Sequence, residues 1–88
     1  MTKKEKMEMQ KLAKNILMKK LGYAPKLENI ILLESGDDGL TITYLMFSVL
    51  GIENVEYQIY KRTGGYDMCI IKSHISELGY TEDDNIWL

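Results

Sequence analysis

Cysteine is almost absent from this chain of 88 residues, because Cys69 is the only one. A single cysteine excludes an intramolecular disulfide, and with it the small disulfide-stapled domains of secreted proteins, so it favours a reducing, cytoplasmic location. Long apolar runs are also missing. The longest uncharged stretch, residues 40–52, has thirteen residues, whereas a membrane-spanning helix needs about 20. The sequence therefore predicts a cytoplasmic protein with no membrane association.

Residue types that perform catalysis or bind metals are equally sparse. His74 is the only histidine, so Cys69 and His74 supply two of the four ligands that a closed zinc site requires. As a nucleophilic pair they would need a third, orienting group, and a buried strand cysteine with an exposed turn histidine is the simpler interpretation. The acidic clusters at residues 37–38 and 82–84 lack the spacing of a calcium-binding loop. The sequence predicts no enzyme, no cofactor and no metal site.

Charge, in contrast, is present and unevenly distributed. Residues 1–26 contain eight lysines and two glutamates, which gives +6, whereas residues 27–88 contain eleven carboxylates and three basic residues, which gives −8. A cationic segment attracts anionic partners whatever the net charge of the whole protein. The chain length predicts a single domain, residues 1–88.

The N-terminal segment has the spacing of an amphipathic helix. We predict a helix from Lys3 to Leu21, with Thr2 as the N-terminal capping residue and Gly22 as the left-handed residue that ends it. Pro25 prevents its continuation. The apolar residues that recur at intervals of three and four are Met9, Leu12, Ala13, Ile16, Leu17 and Leu21. We expect Leu12, Ile16 and Leu17 to pack in the core.

Four segments after Pro25 have the composition of β-strands, namely residues 29–33, 40–50, 55–60 and 66–71. The second has no charged residue and is typical of a central strand buried on both faces, with a buried helix as the alternative. Short turns rich in glycine separate the segments, which predicts an antiparallel meander. Ser73 is a candidate N-cap for one helical turn that ends at Gly79.

The predicted fold class is therefore α+β: an N-terminal amphipathic helix packed on a small antiparallel meander of three to four strands, with a short C-terminal helical turn. One helix leaves the second face of the sheet uncovered unless residues 86–88 lie across it. Apolar residues occur on strands two to four at both parities, including Tyr44, Met46, Tyr60, Tyr66 and Met68. An uncovered apolar face is typical of an interface, and a homodimer is one possibility.

The helix carries a second stripe that the predicted core does not explain. We call this set the Lys/Met stripe: Lys4, Met7, Lys11, Lys14 and Met18. Flexible thioethers among lysines suit a partner contact, although a solvated helix face is the simpler interpretation. On the sheet, the predicted contact residues are Tyr60, Lys61, Arg62 and Tyr66.

These features predict a small non-catalytic binding or regulatory module that acts by protein–protein contact with an unidentified protein partner. The alternative is a nucleic-acid-binding protein that uses the basic helix and the Lys61/Arg62 hairpin, with Tyr44, Tyr60 and Tyr66 as a base-stacking platform. The acidic character of the strand region disfavours this alternative, because phosphate contacts supply most of the affinity for nucleic acid.

Overall fold

One helix lies against a five-stranded antiparallel sheet in the computed structural model, which describes residues 2–75, 79 and 81–88. The helix α1 spans Lys3–Leu21, and a short 3₁₀ turn, Leu27–Asn29, leads into the sheet. The strands are β1 (Ile30–Asp37), β2 (Ile42–Val49), β3 (Val55–Arg62), β4 (Gly65–Ile75) and β5 (Thr81–Trp87), in the spatial order β1-β2-β3-β4-β5. The predicted α+β class and antiparallel meander are confirmed. The predicted count of three to four strands is wrong, because the described residues form five.

Both ends of α1 follow from local sequence. The Thr2 hydroxyl accepts a hydrogen bond from the backbone N–H of Glu5 at 3.1 Å, which satisfies one of the free donors of the first turn. At the other end, Gly22 adopts φ 69° and its N–H donates to the carbonyl of Met18 at 3.0 Å. This left-handed geometry costs glycine little and ends the helix where the sequence predicts.

The core lies between α1 and one face of the sheet. Ile16 and Leu17 are buried as expected, and Leu12 is partly buried against the same cluster. The other buried helix residues are Met9 and Ala13, and the sheet contributes Ile30, Leu45, Phe47, Val49, Tyr57, Ile59, Met68 and Ile70.

The second predicted strand is a strand and not a helix, but it is buried on one face only. Leu45, Phe47 and Val49 are buried, whereas the alternate residues Tyr44 and Met46 are half-buried. The absence of charge from this segment therefore reflects mixed aromatic and apolar neighbours on the second face, not a second core.

The C-terminal prediction is wrong where the structure describes it. Ser73 does not cap a helix, since residues 73–75 continue β4, while residues 76–78 of the predicted turn lie outside the described part of the chain. The segment Thr81–Trp87 pairs with β4 from Ile75↔Thr81 to Cys69↔Trp87. A serine does not specify a helix by itself, because serine is also compatible with a strand that has a partner to pair with. The tail therefore extends the sheet and does not cover its second face.

Candidate functional site

No element in residues 2–75, 79 and 81–88 packs on the face of the sheet opposite α1, and we call it the open face. Two adjacent cross-strand rows carry the aromatic residues of this face. The first row is Glu34, Met46, Gln58, Cys69 and Trp87, and the second is Gly36, Tyr44, Tyr60 and Asp67. Because side chains alternate along a strand, both rows point away from the core residues that flank them in sequence.

Three aromatic rings form a strip along the open face, and we call Tyr44, Tyr60 and Trp87 the aromatic strip. The ring centroids of Tyr44 and Tyr60 are 6.5 Å apart, and those of Tyr60 and Trp87 are 6.0 Å apart. β3 and β5 are not neighbours, and two strand spacings amount to about 10 Å. The Tyr60 and Trp87 rings therefore lean toward each other across β4. Cys69, between them on β4, is only 3% exposed although no element covers this face.

Tyr44 is held at one end of the aromatic strip by a carboxylate and a glycine. Its hydroxyl donates to Oε1 of Glu34 at 2.9 Å. This hydrogen bond, followed by desolvation, raises the pKa of Tyr44 above its ordinary value. Its ring lies over Gly36, where an added Cβ would stand 2.3 Å from Cε1 of the ring. The close approach explains why glycine occupies this strand position.

Tyr60 is held at the centre of the strip by a short polar chain. Its hydroxyl donates to Oε1 of Gln58, and Nε2 of Gln58 donates to Oε2 of Glu56 at 2.8 Å. Gln58 is the one polar residue among the described residues that is buried, at 8% exposure. Its hydrogen bonds compensate for the loss of water. Hydrogen bonds therefore orient both tyrosine rings within the protein itself.

The open face carries negative charge around the aromatic strip. Glu34, Glu56 and Asp67 all lie on it, and Arg62 is its only lysine or arginine among the described residues. Nε of Arg62 donates to Oδ2 of Asp67 at 2.9 Å, so this cation is already paired. The remaining carboxylates suit a cationic group and disfavour a phosphate.

The two predicted contact tyrosines, Tyr60 and Tyr66, lie on opposite faces of the sheet. Tyr60 lies on the open face, whereas Tyr66 packs against the core on the helix side and donates its hydroxyl to the carbonyl of Ile42 at 3.0 Å. The predicted platform of Tyr44, Tyr60 and Tyr66 is therefore wrong. Trp87 is the third aromatic residue on the open face. The sequence did not reveal it, because residues 81–87 were not predicted to form a strand.

The predicted basic hairpin is divided in the same way. Lys61 points to the helix side, where its Nζ donates to Oγ1 of Thr41 at 2.6 Å and lies 3.6 Å from Oδ2 of Asp38. Arg62 points to the open face and bonds Asp67. The two cations thus do not form one patch, and each already faces a carboxylate.

The Lys/Met stripe lies on the outer surface of α1. Met7 and Met18 are 50% and 54% exposed, and Lys14 is half-buried. Lys11, Lys14 and Met18 line a shallow groove of about 400 Å³ with Ala24 and Leu27. Exposure is consistent with a contact surface, but the role of the Lys/Met stripe stays a prediction.

Comparison with known proteins adds no relative: no protein-family model, curated protein or solved structure matches the chain. None of the helices that the structure describes has the length and hydropathy needed to cross a bilayer. Within the described residues, no group of three or more histidine, cysteine, aspartate or glutamate side chains is arranged to hold a metal ion.

Proposed function

We propose that this protein is a small, non-catalytic, cytoplasmic binding module that acts by protein–protein contact, and that its open face binds a basic segment of the partner. The observation that supports this proposal is the aromatic strip, half-buried at Tyr44 and Tyr60 and exposed at Trp87, on a sheet face that no described element covers, and bordered by Glu34, Glu56 and Asp67. The cytoplasmic location is part of the proposal and rests on the single cysteine.

An arginine or lysine of the partner would find two kinds of attraction on this face. A cation over an aromatic ring gains about 0.5–1 kcal/mol at an exposed site and 2 kcal/mol or more when it loses water. The neighbouring carboxylates add charge-assisted hydrogen bonds. Because Tyr44 and Tyr60 are already oriented by Glu34 and Gln58, little side-chain entropy is lost on binding.

Nucleic-acid binding ranks second. It would rely on Lys61 and Arg62, which point to opposite faces and already face Asp38 and Asp67. Phosphates on the open face would meet carboxylates, and phosphate neutralisation is the main source of affinity in such complexes. The lysines of α1 are the remaining support for this alternative. The same lysines, with Met7 and Met18, would equally suit an acidic protein surface.

Capture from a native lysate, with and without nuclease, tests the proposal. The baits are the unmodified chain, Trp87→Ala, the triple variant Lys4→Glu/Lys11→Glu/Lys14→Glu, and Leu40→Ala as control. Leu40 is 93% exposed in the turn between β1 and β2 and is not part of the aromatic strip. We expect basic proteins that survive nuclease, bind Leu40→Ala and are lost with Trp87→Ala.

Other results would contradict it in distinct ways. Loss of all captured proteins on nuclease treatment would favour the nucleic-acid alternative. Undiminished capture by Trp87→Ala would exclude the open face, and loss with the triple lysine variant alone would assign binding to the Lys/Met stripe.

A further inference from the structure

We infer that the partner segment binds as an added β-strand along the outer edge of β5, an inference that rests on the proposed function. β5 stands at one end of the sheet and pairs with β4 on its inner side. No other described strand pairs with its outer side. Main-chain groups on such an edge are a ready template for an extended segment of another chain.

Backbone orientation shows which groups of β5 face outward. The N–H of Leu88 donates to the carbonyl of Met68 at 2.9 Å, so residue 88 bonds inward. In an antiparallel ladder this orientation recurs at every second residue. Ile86 therefore also bonds inward, and the N–H and C=O groups of Asn85 and Trp87 point away from β4, where an added strand would meet them.

The opposite edge of the sheet is protected in a way that β5 is not. On β1, the side-chain amide of Gln10 donates to the carbonyl of Ile30 at 3.1 Å. The register of β1 also shifts between Leu32 and Glu34, and such an irregularity interrupts the row of groups that a new strand needs. The β4–β5 register runs from Cys69↔Trp87 to Ile75↔Thr81 without a shift.

Exposed apolar side chains on both sides of β5 favour a neighbour in the plane of the sheet. Trp87, 59% exposed, is on the open face, whereas Ile86 and Leu88, 39% and 42% exposed, alternate to the helix side. A partner resting on the open face alone would cover Trp87 and leave the other two in water. A strand beside β5 reaches both sides, because its own side chains alternate between the two faces.

The charge of β5 indicates that the partner segment is basic. The first half of β5 contains Glu82, Asp83 and Asp84 in succession. A second copy of β5 would bring three more carboxylates to the same edge and increase its negative charge, whereas a basic segment would reduce it. An extended segment of a different protein, with alternating apolar residues and with lysine or arginine, suits both the acidic sequence of this strand and its apolar end.

The fluorescence of Trp87, the only tryptophan, measures the binding of a defined probe. The probe is a nine-residue synthetic peptide of alternating valine and lysine, titrated at low and physiological salt. Two further peptides carry N-methyl groups at the odd or at the even residues, which removes alternate backbone donors. We expect the parent peptide to shift the emission to shorter wavelength. One N-methylated peptide should bind at least tenfold more weakly than the other, because only one set of donors faces β5.

The protein supplies a matched pair of variants. Asn85→Pro removes an N–H that points outward, which the β4–β5 ladder does not use, while Asn85→Ala keeps it. We expect Asn85→Pro to lose peptide binding at least tenfold and Asn85→Ala to retain it, with unchanged far-ultraviolet circular dichroism for both. If Asn85→Pro is unfolded, the two N-methylated peptides still decide the matter.

The outcomes separate this inference from the proposed function. Equal binding of the parent and both N-methylated peptides, lost with Trp87→Ala, would overturn strand addition and leave a basic partner on the open face. No emission shift with the parent peptide at low salt would overturn both.

Discussion

Replacing Gly36 by alanine tests the packing of the aromatic strip. A Cβ at position 36 would lie 2.3 Å from Cε1 and 2.8 Å from Cδ1 of Tyr44. Ordinary contacts begin near 3.4 Å, so the ring must retreat by the difference between 3.4 and 2.3 Å, about 1.1 Å. Such a movement takes the Tyr44 hydroxyl away from Glu34, to which it donates at 2.9 Å.

Overpacking of a full core costs about 1–3 kcal/mol. The Tyr44 ring is half-buried and yields more easily, so we expect Gly36→Ala to lower the free energy of unfolding by about 1 kcal/mol, near the lower limit of that range. For a domain of this size, 1 kcal/mol corresponds to a decrease in Tm of about 4–8 °C. Thermal unfolding followed by circular dichroism measures it directly.

A Tyr44→Ala background should reverse the sign of the stability change caused by Gly36→Ala. Gly36 lies outside the positive-φ region, so its backbone accepts alanine and only the Tyr44 ring stands in the way. In a Tyr44→Ala background, Gly36→Ala should therefore raise the free energy of unfolding by about 0.4–1 kcal/mol, because alanine restricts the unfolded chain. An increase in Tm on Gly36→Ala alone would refute the placement of the ring. An equal decrease in both backgrounds would refute Tyr44 as the cause.

Three further predictions concern the core, acid stability and self-association. Ile16→Asp buries an unpaired carboxylate at a position that is 6% exposed, which costs several kcal/mol of a free energy of unfolding of roughly 5–10 kcal/mol. Circular dichroism should show an unfolded chain. Met18→Asp, at an exposed position of the same helix, should fold. Hydrogen bonds from the N–H groups of Thr41 and Leu40 lower the pKa of Asp38 below 3.8. The ionised Asp38 carboxylate therefore stabilises the fold above pH 3.8, and this stabilisation is lost as the pH falls through the pKa of the folded state. The Tm difference between wild type and Asp38→Asn should thus shrink in acid. Carboxylates on the open face oppose a homodimer in which two open faces meet, so sedimentation at low salt should give a monomer. Any dimer should increase as salt screens the carboxylates. A dimer at low salt would contradict this prediction.

The helix could be predicted to the residue because its signals are local. The apolar spacing, the Thr2 cap and the Gly22 stop all lie within or beside α1, and each depends on neighbours no more than four residues away. The turns that divide the first four strands are local as well. This is why the α+β class and the antiparallel order could be derived without structural data.

The open face could not be derived in the same way, because its composition depends on register between distant residues. Alternation along β3 already places Tyr60 beside Gln58 on one face. Whether Tyr66 or Trp87 joins them is decided by the pairing of Tyr60 with Asp67 and of Cys69 with Trp87. Since side chains alternate with a period of two, an error of one residue exchanges the faces.

The dimensions of α1 explain why the helix leaves one face of the sheet uncovered. A helix of 19 residues is about 28 Å long and about 10 Å wide, so it can cover part of one sheet face and none of the other. The second face must therefore tolerate water, and the carboxylates of Glu34, Glu56 and Asp67 allow it to do so. Trp87 does not fit that pattern, because its ring is 59% exposed on an edge strand, outside the core cluster. Contact with Tyr60 leaves Trp87 largely exposed, whereas a bound partner strand would bury it.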